Sequence, residues 1–271
     1  QRQMCIRDST ATATPVASST PVPTQTLEPS PGITPGGFGP HPYQCYEVDR
    51  TTLDPITGLP VEDRFGATEI TVGGSGRVKR ICNPANLNGQ NPGAAFDPSH
   101  IMGYVITQRD PRVNSFPKQI VTDQFGTITV SLLKPILLMV PSAKSLVAPP
   151  DAIDPPAIDH YQCYGVSGAK KRVAGLSVVD QFTSQQLDIK RPGRLCVAVD
   201  KRGEGILDPN AALLCYSVRP SSGTSPYRGP LGPVYVNNQF GPDVLAVARP
   251  TEFCVPATVT EAPAKQRRTR R

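Results

Sequence analysis

The chain repeats one unit four times, and this internal repeat constrains the fold more than any other feature of the sequence. Each repeat begins with a short motif that ends in tyrosine. The motif is Tyr-Gln-Cys-Tyr at residues 43–46 and 161–164, and Leu-Leu-Cys-Tyr at residues 213–216. The second repeat has Ile-Met-Gly-Tyr at residues 101–104, so glycine replaces the cysteine. We number the repeats 1 to 4 along the chain.

Two further motifs follow in every repeat. The middle motif is Asp-Gln-Phe-Gly or a close variant, at residues 63–66, 123–126, 180–183 and 238–241. The last motif contains cysteine at residues 82–84, 196–198 and 254–256, whereas repeat 2 has Met-Val-Pro at residues 139–141. The motifs identify eight aromatic side chains as structural anchors: Tyr46, Tyr104, Tyr164, Tyr216, Phe65, Phe125, Phe182 and Phe240.

Repeat 2 lacks both of the cysteines that the other repeats have, and this joint loss indicates a disulfide within each repeat. Pairing between adjacent repeats would instead leave Cys45 and Cys82 without their partners. The predicted disulfides are therefore Cys45–Cys82, Cys163–Cys196 and Cys215–Cys254. Such widely spaced, repeated cysteines favour structural disulfides in an oxidising compartment.

Apolar and polar residues alternate inside each repeat, which is the pattern of half-buried β-strands. Examples are residues 70–72, 128–132, 187–189 and 234–237. The 31 prolines and 23 glycines suit turns and loops better than long helices. We expect about three strands in each repeat, with the middle motif as a tight turn between the second and third strands.

One repeat of ~50 residues is too small for a good core, whereas a pair of ~100 residues makes an ordinary domain. The sequence therefore predicts an all-β protein with two tandem small β-sandwich or barrel domains, each a pseudo-symmetric pair of repeats. The first domain is expected at residues 41–141 and the second at residues 158–256. A proline-rich linker at residues 142–157 joins them.

The ends of the chain are expected to lie outside these domains. Residues 1–8 resemble a translated sequencing adaptor and are set aside, together with Cys5. Residues 9–40 are rich in Thr, Ser and Pro, a composition that predicts a disordered stalk. Residues 257–271 predict a basic disordered tail, in which residues 265–271 carry five positive charges against a net charge of +6. The rest of the chain is almost neutral, so no specific nucleic-acid partner is expected.

The histidines, cysteines and acidic residues show no catalytic or metal-binding pattern. His41, His100 and His160 each lie just before the cysteine position of a repeat, which indicates a packing or hydrogen-bonding role. The spacings of zinc, redox and other metal motifs are absent from the sequence. The aspartate of the middle motif becomes Asn238 in repeat 4, and asparagine keeps a turn but cannot act as a general base. We therefore assign no catalytic residue, cofactor or metal.

Taken together, the Tyr-Gln-Cys-Tyr, Asp-Gln-Phe-Gly and Cys-Val-Pro motifs resemble an uncharacterised repeat domain of bacterial proteins, often found behind Thr/Pro-rich segments. The resemblance covers most of residues 41–256. It implies a secreted bacterial protein and brings no activity or catalytic residue with it. Repeat 2, without its cysteines, and repeat 3, which ends its last motif in Ala198, depart from the pattern.

The sequence thus predicts a non-catalytic structural or binding module, secreted or on the cell surface, with an unidentified protein or glycan as its partner. No apolar run approaches the ~20 residues of a transmembrane helix, and an export signal is expected upstream of residue 1. The alternative is an extracellular hydrolase or inhibitor that acts through the loops that differ most between repeats. These loops are Arg50–Pro60, Asn86–Pro98 and Pro220–Pro233.

Overall fold

The structure is a computed structural model of the chain. It describes residues 41–48, 53–73, 79–108, 116–153, 157–168, 170–230 and 232–263. The segments interpreted as an adaptor (1–8) and a stalk (9–40), and the end of the basic tail (264–271), lie outside the described residues.

The described residues form fifteen β-strands and one short 3-10 helix (Pro92–Phe96), so the all-β prediction is confirmed. Repeat 1 contains β1 (Tyr43–Val48), β2 (Ile56–Asp63), β3 (Gly66–Val72), β4 (Lys79–Pro84) and β5 (Asn86–Leu87). Repeat 2 contains β6 (His100–Gln108), β7 (Gln119–Asp123) and β8 (Gly126–Ser145). Repeat 3 contains β9 (His160–Ser167), β10 (Val173–Val179) and β11 (Ser184–Lys201). Repeat 4 contains β12 (Ala212–Pro220), β13 (Val234–Asn238), β14 (Gly241–Leu245) and β15 (Val247–Glu261).

All four repeats share one plan. An opening strand (β1, β6, β9 or β12) contains the first motif, and the middle motif then forms the turn of a hairpin. The hairpins are β2–β3, β7–β8, β10–β11 and β13–β14. The chain returns along a closing strand that pairs with the opening strand of its own repeat. The closing strands are β4, the second half of β8, the second half of β11, and β15.

The opening and closing strands of all four repeats form one closed ring of eight antiparallel strands. Each closing strand pairs on its other side with the opening strand of the next repeat: β4 with β6, β8 with β9, and β11 with β12. The ring closes where β15 pairs with β1, with Cys254 opposite Tyr43. A closed ring satisfies both edges of every strand in it.

The predicted division into two tandem domains, 41–141 and 158–256, is not confirmed. Repeats 2 and 3 are paired along β8 and β9, from Ser131 opposite Ser167 to Met139 opposite Tyr161. This pairing runs between the two expected domains, and so does the pairing of β1 with β15. The physical reason is that two repeats alone would leave two exposed strand edges, whereas four repeats leave none in the ring.

Two predicted boundaries also differ from the structure. The linker expected at 142–157 begins within β8, because Ser142 pairs with His100 and residues 143–145 pair with β13. The tail expected at 257–271 begins within β15, because residues 257–261 pair with β7. In both cases a hairpin of another repeat provides the partner strand, which the composition of the segment itself does not indicate.

The three disulfides lie inside the ring, in one layer. They are Cys45–Cys82, Cys163–Cys196 and Cys215–Cys254, the pairs that the repeat pattern predicts. Neighbouring disulfides touch each other, since Cys45 Sγ lies 3.7 Å from Cys254 Sγ and Cys196 Sγ lies 4.0 Å from Cys215 Sγ. Disulfide sulfurs carry no hydrogen, so these are van der Waals contacts.

Repeat 2 completes the sulfur layer without cysteine. Met139 stands where the other repeats have the second cysteine of the disulfide, and its Sδ lies 3.8 Å from Cys196 Sγ. Gly103 is opposite Met139 in the β6–β8 pair. A Cβ added to Gly103 would lie 2.9 Å from Leu137 Cδ2, so the leucine side chain occupies the space beside the glycine. Met139 and Leu137 therefore fill the volume that a fourth disulfide would need.

The hairpins cover the outer face of the ring. The anchor tyrosines alternate with the cysteine positions, so they point to this outer face, and all four are buried. The first strand of each hairpin pairs with a strand of the repeat two positions away in the ring: β2 with β11, β7 with β15, β10 with β5, and β13 with β8. Repeat 1 is therefore opposite repeat 3, and repeat 2 is opposite repeat 4. Two outer apolar clusters result, one around Tyr164 and Tyr216 and one around Tyr46 and Tyr104.

Candidate functional site

The aspartate of the middle motif is the first candidate for chemistry, because it recurs in repeats 1 to 3. Asp63 lies at the turn between β2 and β3, and its Oδ1 accepts a hydrogen bond from the backbone N–H of Phe65 at 2.8 Å. Its Oδ2 accepts hydrogen bonds from the Tyr164 hydroxyl at 2.6 Å and from Gln162 Nε2 at 3.1 Å. One oxygen is thus occupied by the aspartate's own turn and the other by repeat 3.

A similar arrangement joins repeats 2 and 4 in both directions, and Asp180 of repeat 3 accepts a hydrogen bond from Asn83 of repeat 1. The Tyr216 hydroxyl donates a hydrogen bond to Asp123 at 2.5 Å, and Asn238 Nδ2 donates one to the Tyr104 hydroxyl at 2.9 Å. Each anchor phenylalanine also packs on the tyrosine of the opposite repeat. The ring centroids are 4.9 to 5.6 Å apart in the pairs Phe65–Tyr164, Phe125–Tyr216, Phe182–Tyr46 and Phe240–Tyr104.

The pKa shifts of these groups have a structural cause. Burial raises the pKa of Asp63 and of Asp180, as it does for many catalytic carboxyls. Burial, reinforced by the neighbouring carboxylate, also raises the pKa of Tyr164 and of Tyr216, so these tyrosines stay protonated and donate. Because Asn238 makes the equivalent bonds with a neutral amide, the pattern depends on hydrogen bonding and not on proton transfer.

A second cluster has the residue types of a hydrolase site but a different geometry. His41 Nε2 lies 2.9 Å from Asp97 Oδ2, and Ser99 Oγ donates to Asp97 Oδ1 at 2.5 Å. In a catalytic triad the imidazole accepts the proton of the serine, whereas here both residues contact the carboxylate. Although burial acts to raise the pKa of Asp97, hydrogen bonds from His41 and Ser99 hold it well below its usual range. The cluster fastens the loop Asn86–Pro98 to the start of β1.

The other two histidines are buried in the opening strands β6 and β9. Burial lowers the pKa of His160 to about 4 and that of His100 well below its ordinary value, so both rings are neutral near pH 7. His160 Nε2 lies 3.2 Å from Glu204 Oε2. Among the described residues, no three His, Cys, Asp or Glu side chains are grouped so that they could hold a metal ion.

A lysine in the outer core is the third candidate. Lys144 Nζ donates to Asn83 Oδ1 at 2.6 Å and lies 4.1 Å from the centroid of the Phe182 ring. Asn83 Nδ2 in turn donates to Asp180 at 3.0 Å. Burial lowers the pKa of Lys144 to about 7, against the attraction of Asp180. The equivalent positions in the other repeats are Leu87, Lys201 and Val259, so lysine here is a feature of two repeats and not of the fold.

One ion cluster lies inside the ring. Arg80 Nε is 3.0 Å from Glu252 Oε2, and Arg194 pairs with the same carboxylate oxygen. Burial lowers the pKa of Arg194 to about 9. In repeat 2 the position equivalent to Arg194 is Leu137, which lies opposite Cys163. The charged cluster therefore lies at ring positions where repeat 2 has an apolar side chain.

The loops expected to vary between repeats mainly cover the outer clusters. Tyr227, in the loop Pro220–Pro233, packs on Tyr46 with ring centroids 5.4 Å apart. The loop Asn86–Pro98 contains β5 and the 3-10 helix. Of the loop Arg50–Pro60, the structure describes residues 53–60, and residues 56–60 already belong to β2. These segments therefore contribute to packing in the part of the chain that the structure describes.

In the part of the chain that the structure describes, positive charge is concentrated in an open groove on repeats 3 and 4, which we call the basic groove. Its volume is about 1140 Å³, and it lies where β11 bends from its hairpin into the ring, between the start of β10 and the end of β12. Six cations line it: Lys170, Lys171, Arg172, Lys190, Arg191 and Arg219. Asp188 is the one acidic residue among its described lining, and its Oδ2 lies 3.1 Å from Arg219 NH2.

Sequence reasoning missed the basic groove, because its cations come from two short runs, 170–172 and 190–191, that only the fold brings together. The near-neutral charge of the chain outside residues 265–271 also concealed it. A usable signal was the comparison of repeats, since the positions of Lys190 and Arg191 in repeat 3 are occupied by Leu133 and Lys134 in repeat 2.

Comparison with known proteins identifies the repeat but no activity. Residues 100–222 match the family model described as a repeat of unknown function (DUF7450). The match begins with β6 of repeat 2 and ends just after β12, the opening strand of repeat 4. No curated protein and no solved structure matches the chain. The chain therefore contains an uncharacterised repeat domain, as its motifs indicated.

Proposed function

We propose that residues 41–263 are a non-catalytic module of an extracellular protein, secreted or held at the cell surface, that binds a partner through its variable surface. One observation carries the proposal: the aspartate or asparagine of each middle motif is occupied by a hydrogen bond to the opposite repeat. The Tyr164 hydroxyl bond to Asp63 and its counterparts serve the fold. Binding is therefore assigned to positions where the repeats differ.

Three disulfides support an extracellular location. They close loops with sequence separations of 37, 33 and 39 residues. In the chain-entropy model, closing a loop of this size with a disulfide stabilises the folded protein by roughly 4 kcal/mol. Structural disulfides of this kind persist in oxidising compartments. The part of the chain that the structure describes contains no helix that could span a membrane.

The second candidate function is an extracellular hydrolase or inhibitor. The observation that favours it is the cluster of His41, Asp97 and Ser99 at the loop Asn86–Pro98, because these residue types occur together in serine hydrolases. The hydroxyl of Ser99 would have to turn from Asp97 to the imidazole before it could be activated. The two candidates therefore make opposite predictions for a variant of Ser99.

The test is a panel of ester, peptide, glycoside and phosphate-ester substrates, applied to the whole chain and to the variant Ser99→Ala. The proposal expects no turnover above buffer for either protein. Exposed Ser184→Ala serves as the matched control. Turnover that Ser99→Ala abolishes and Ser184→Ala retains would overturn the non-catalytic function and establish the hydrolase. A titration of free thiols on protein exported to the medium tests the location, since the proposal expects all six disulfide cysteines to be oxidised.

A further inference from the structure

The basic groove carries positive charge that the described protein does not neutralise. Asp188 accepts hydrogen bonds from Ser221 Oγ at 2.6 Å and from the backbone N–H of Gly175 at 3.1 Å, and it pairs with Arg219. This one carboxylate is therefore fully occupied. No acidic partner lies within ion-pair distance, among the described residues, of the other five cations of the groove: Lys170, Lys171, Arg172, Lys190 and Arg191.

The fold does not require the two cations on β11. The closing strands of repeats 2, 3 and 4 each bulge just before a buried proline, and the bulge exposes two consecutive side chains. The exposed pairs are Leu133 and Lys134 in repeat 2, Lys190 and Arg191 in repeat 3, and Ala248 and Arg249 in repeat 4. Because repeats 2 and 4 build this bulge with one cation each, the doubled charge in repeat 3 is not explained by folding.

The lining of the groove indicates the chemistry of its partner. One exposed ion pair contributes about 0.2–1 kcal/mol, so stable binding needs several anionic groups on one molecule. The planar fork of an arginine side chain fits carboxylate and sulfate groups with two parallel hydrogen bonds. No aromatic side chain lines the groove in the described part of the chain, so it offers no stacking platform for unpaired bases or for the faces of neutral sugars.

We propose that the basic groove binds an acidic polysaccharide, a linear glycan that carries carboxylate or sulfate groups. The glycan lies between the run 170–172 and the exposed pair Lys190 and Arg191, and contacts cations on both sides. This inference rests on the proposed function, because it names the class of partner of a non-catalytic extracellular module. The groove, and not the basic segment 265–271, is the surface that determines affinity.

The test compares two double charge reversals in the whole chain. Lys190→Glu with Arg191→Glu reverses the two exposed cations that β11 contributes to the groove. Lys134→Glu with Arg249→Glu changes the net charge by the same amount, at the equivalent bulge positions of repeats 2 and 4. Both proteins retain the basic segment 265–271, so its contribution is constant. Thermal melting followed by circular dichroism establishes that each variant is folded before binding is measured.

Binding is measured against polygalacturonate, which carries carboxylates, and heparin, which carries sulfates, with dextran and duplex DNA as comparisons. We expect the wild-type chain to bind at least one of the two acidic polysaccharides and not dextran. The groove reversal should weaken binding at least about tenfold and the control reversal less than about threefold. Binding should weaken steeply with salt, because the contacts are exposed.

Several results would overturn the inference. Equal loss in the two variants would assign binding to net charge or to the basic segment. Binding of dextran equal to that of the charged glycans would remove the electrostatic argument, and duplex DNA bound more tightly than both would identify a different partner. If neither acidic polysaccharide binds, this inference is overturned, whereas the proposed non-catalytic function is unaffected. Shortening of the recovered polysaccharide on gel filtration would instead overturn the non-catalytic function and leave the binding groove in place.

Discussion

Gly103 lies directly opposite Met139 in the β6–β8 pair, at the position where each of the other three repeats has a disulfide. The absence of a Cβ at Gly103 admits the side chain of Leu137, and the methionine sulfur reaches the disulfide of repeat 3. The sulfur layer is therefore continuous although one disulfide is missing. What the fold requires at this level of the ring is a filled volume, and a disulfide is one way of filling it.

Replacing Gly103 with alanine should destabilise the protein by about 1–3 kcal/mol, because the new Cβ would lie 2.9 Å from Leu137 Cδ2 in a packed interior. The matched control is Gly165→Ala on β9, where the nearest atom would be at an ordinary 3.5 Å. Urea unfolding of both variants measures the difference. Equal stability of the two variants would contradict the packing argument.

The bond between opposite repeats should tolerate a neutral amide but not a truncation. Asp123→Asn keeps a cap for the Phe125 N–H and a donor for the Tyr216 hydroxyl, as Asn238 shows in repeat 4, and should cost less than about 1 kcal/mol. Asp123→Ala removes both bonds and should cost about 2–3 kcal/mol. Chemical denaturation separates the two cases. Similar losses would show that the carboxylate charge, and not the hydrogen bonding, is what matters.

Cleavage between repeats 2 and 3 should leave the two halves associated. A protease site placed at residues 147–151 lies outside the ring strands, and all three disulfides lie within one half or the other. We expect the cleaved protein to elute as one species in native gel filtration and to separate in denaturant, because β8–β9 and β1–β15 pairing hold the halves together. Two independent domains would separate at once.

The burial of Lys144 should make stability depend on pH above neutrality. Its pKa is about 7 in the folded chain, against an ordinary value of 10.5, so from pH 7 to 9 the unfolded chain holds a proton that the folded chain has lost. The free energy of unfolding should therefore rise with pH in the wild type, by at most about 1.4 kcal/mol per pH unit, relative to the variant Lys144→Met.

The measurement for Lys144 is urea unfolding at pH 7, 8 and 9. Lys134→Met is the control for loss of a lysine charge at the surface. Parallel pH profiles for the wild type and Lys144→Met would contradict the assignment of the pH dependence to this side chain.

Local features of the chain were predictable from the sequence, and the assembly of the repeats was not. The strands and the turn at Asp63 follow from alternation and turn chemistry within a few residues. The partner of Asp63 is Tyr164, which is 101 residues away, and every repeat offers the same tyrosine. Four equivalent motifs do not determine which tyrosine is hydrogen-bonded to which aspartate. A pair of small domains and a closed ring are therefore both compatible with the repeat pattern of the sequence.

The candidate site was unpredictable for a related physical reason. Lys171 and Lys190 belong to short runs that look like ordinary surface charge, and they become neighbours only because β11 bends beside the start of β10. By contrast, the disulfide pairs could be predicted from the sequence, because repeat 2 lacks both cysteines of its own pair and has Gly103 and Met139 in their place. Comparison among the repeats was informative at positions where the residues of one repeat differ from those of the others.

The contact of Cys45 with Cys254 spans 209 residues, and it has a consequence for the order of folding. As a chain is made from its first residue to its last, β1 and β4 can pair early and the Cys45–Cys82 disulfide can form. The free side of β1 then stays unpaired until β15 has been synthesised, and such distant pairings make folding slow. Interrupted synthesis therefore yields intermediates with exposed strand edges, which are templates for aggregation. This architecture ties the solubility of each newly made molecule to the arrival of its final strand.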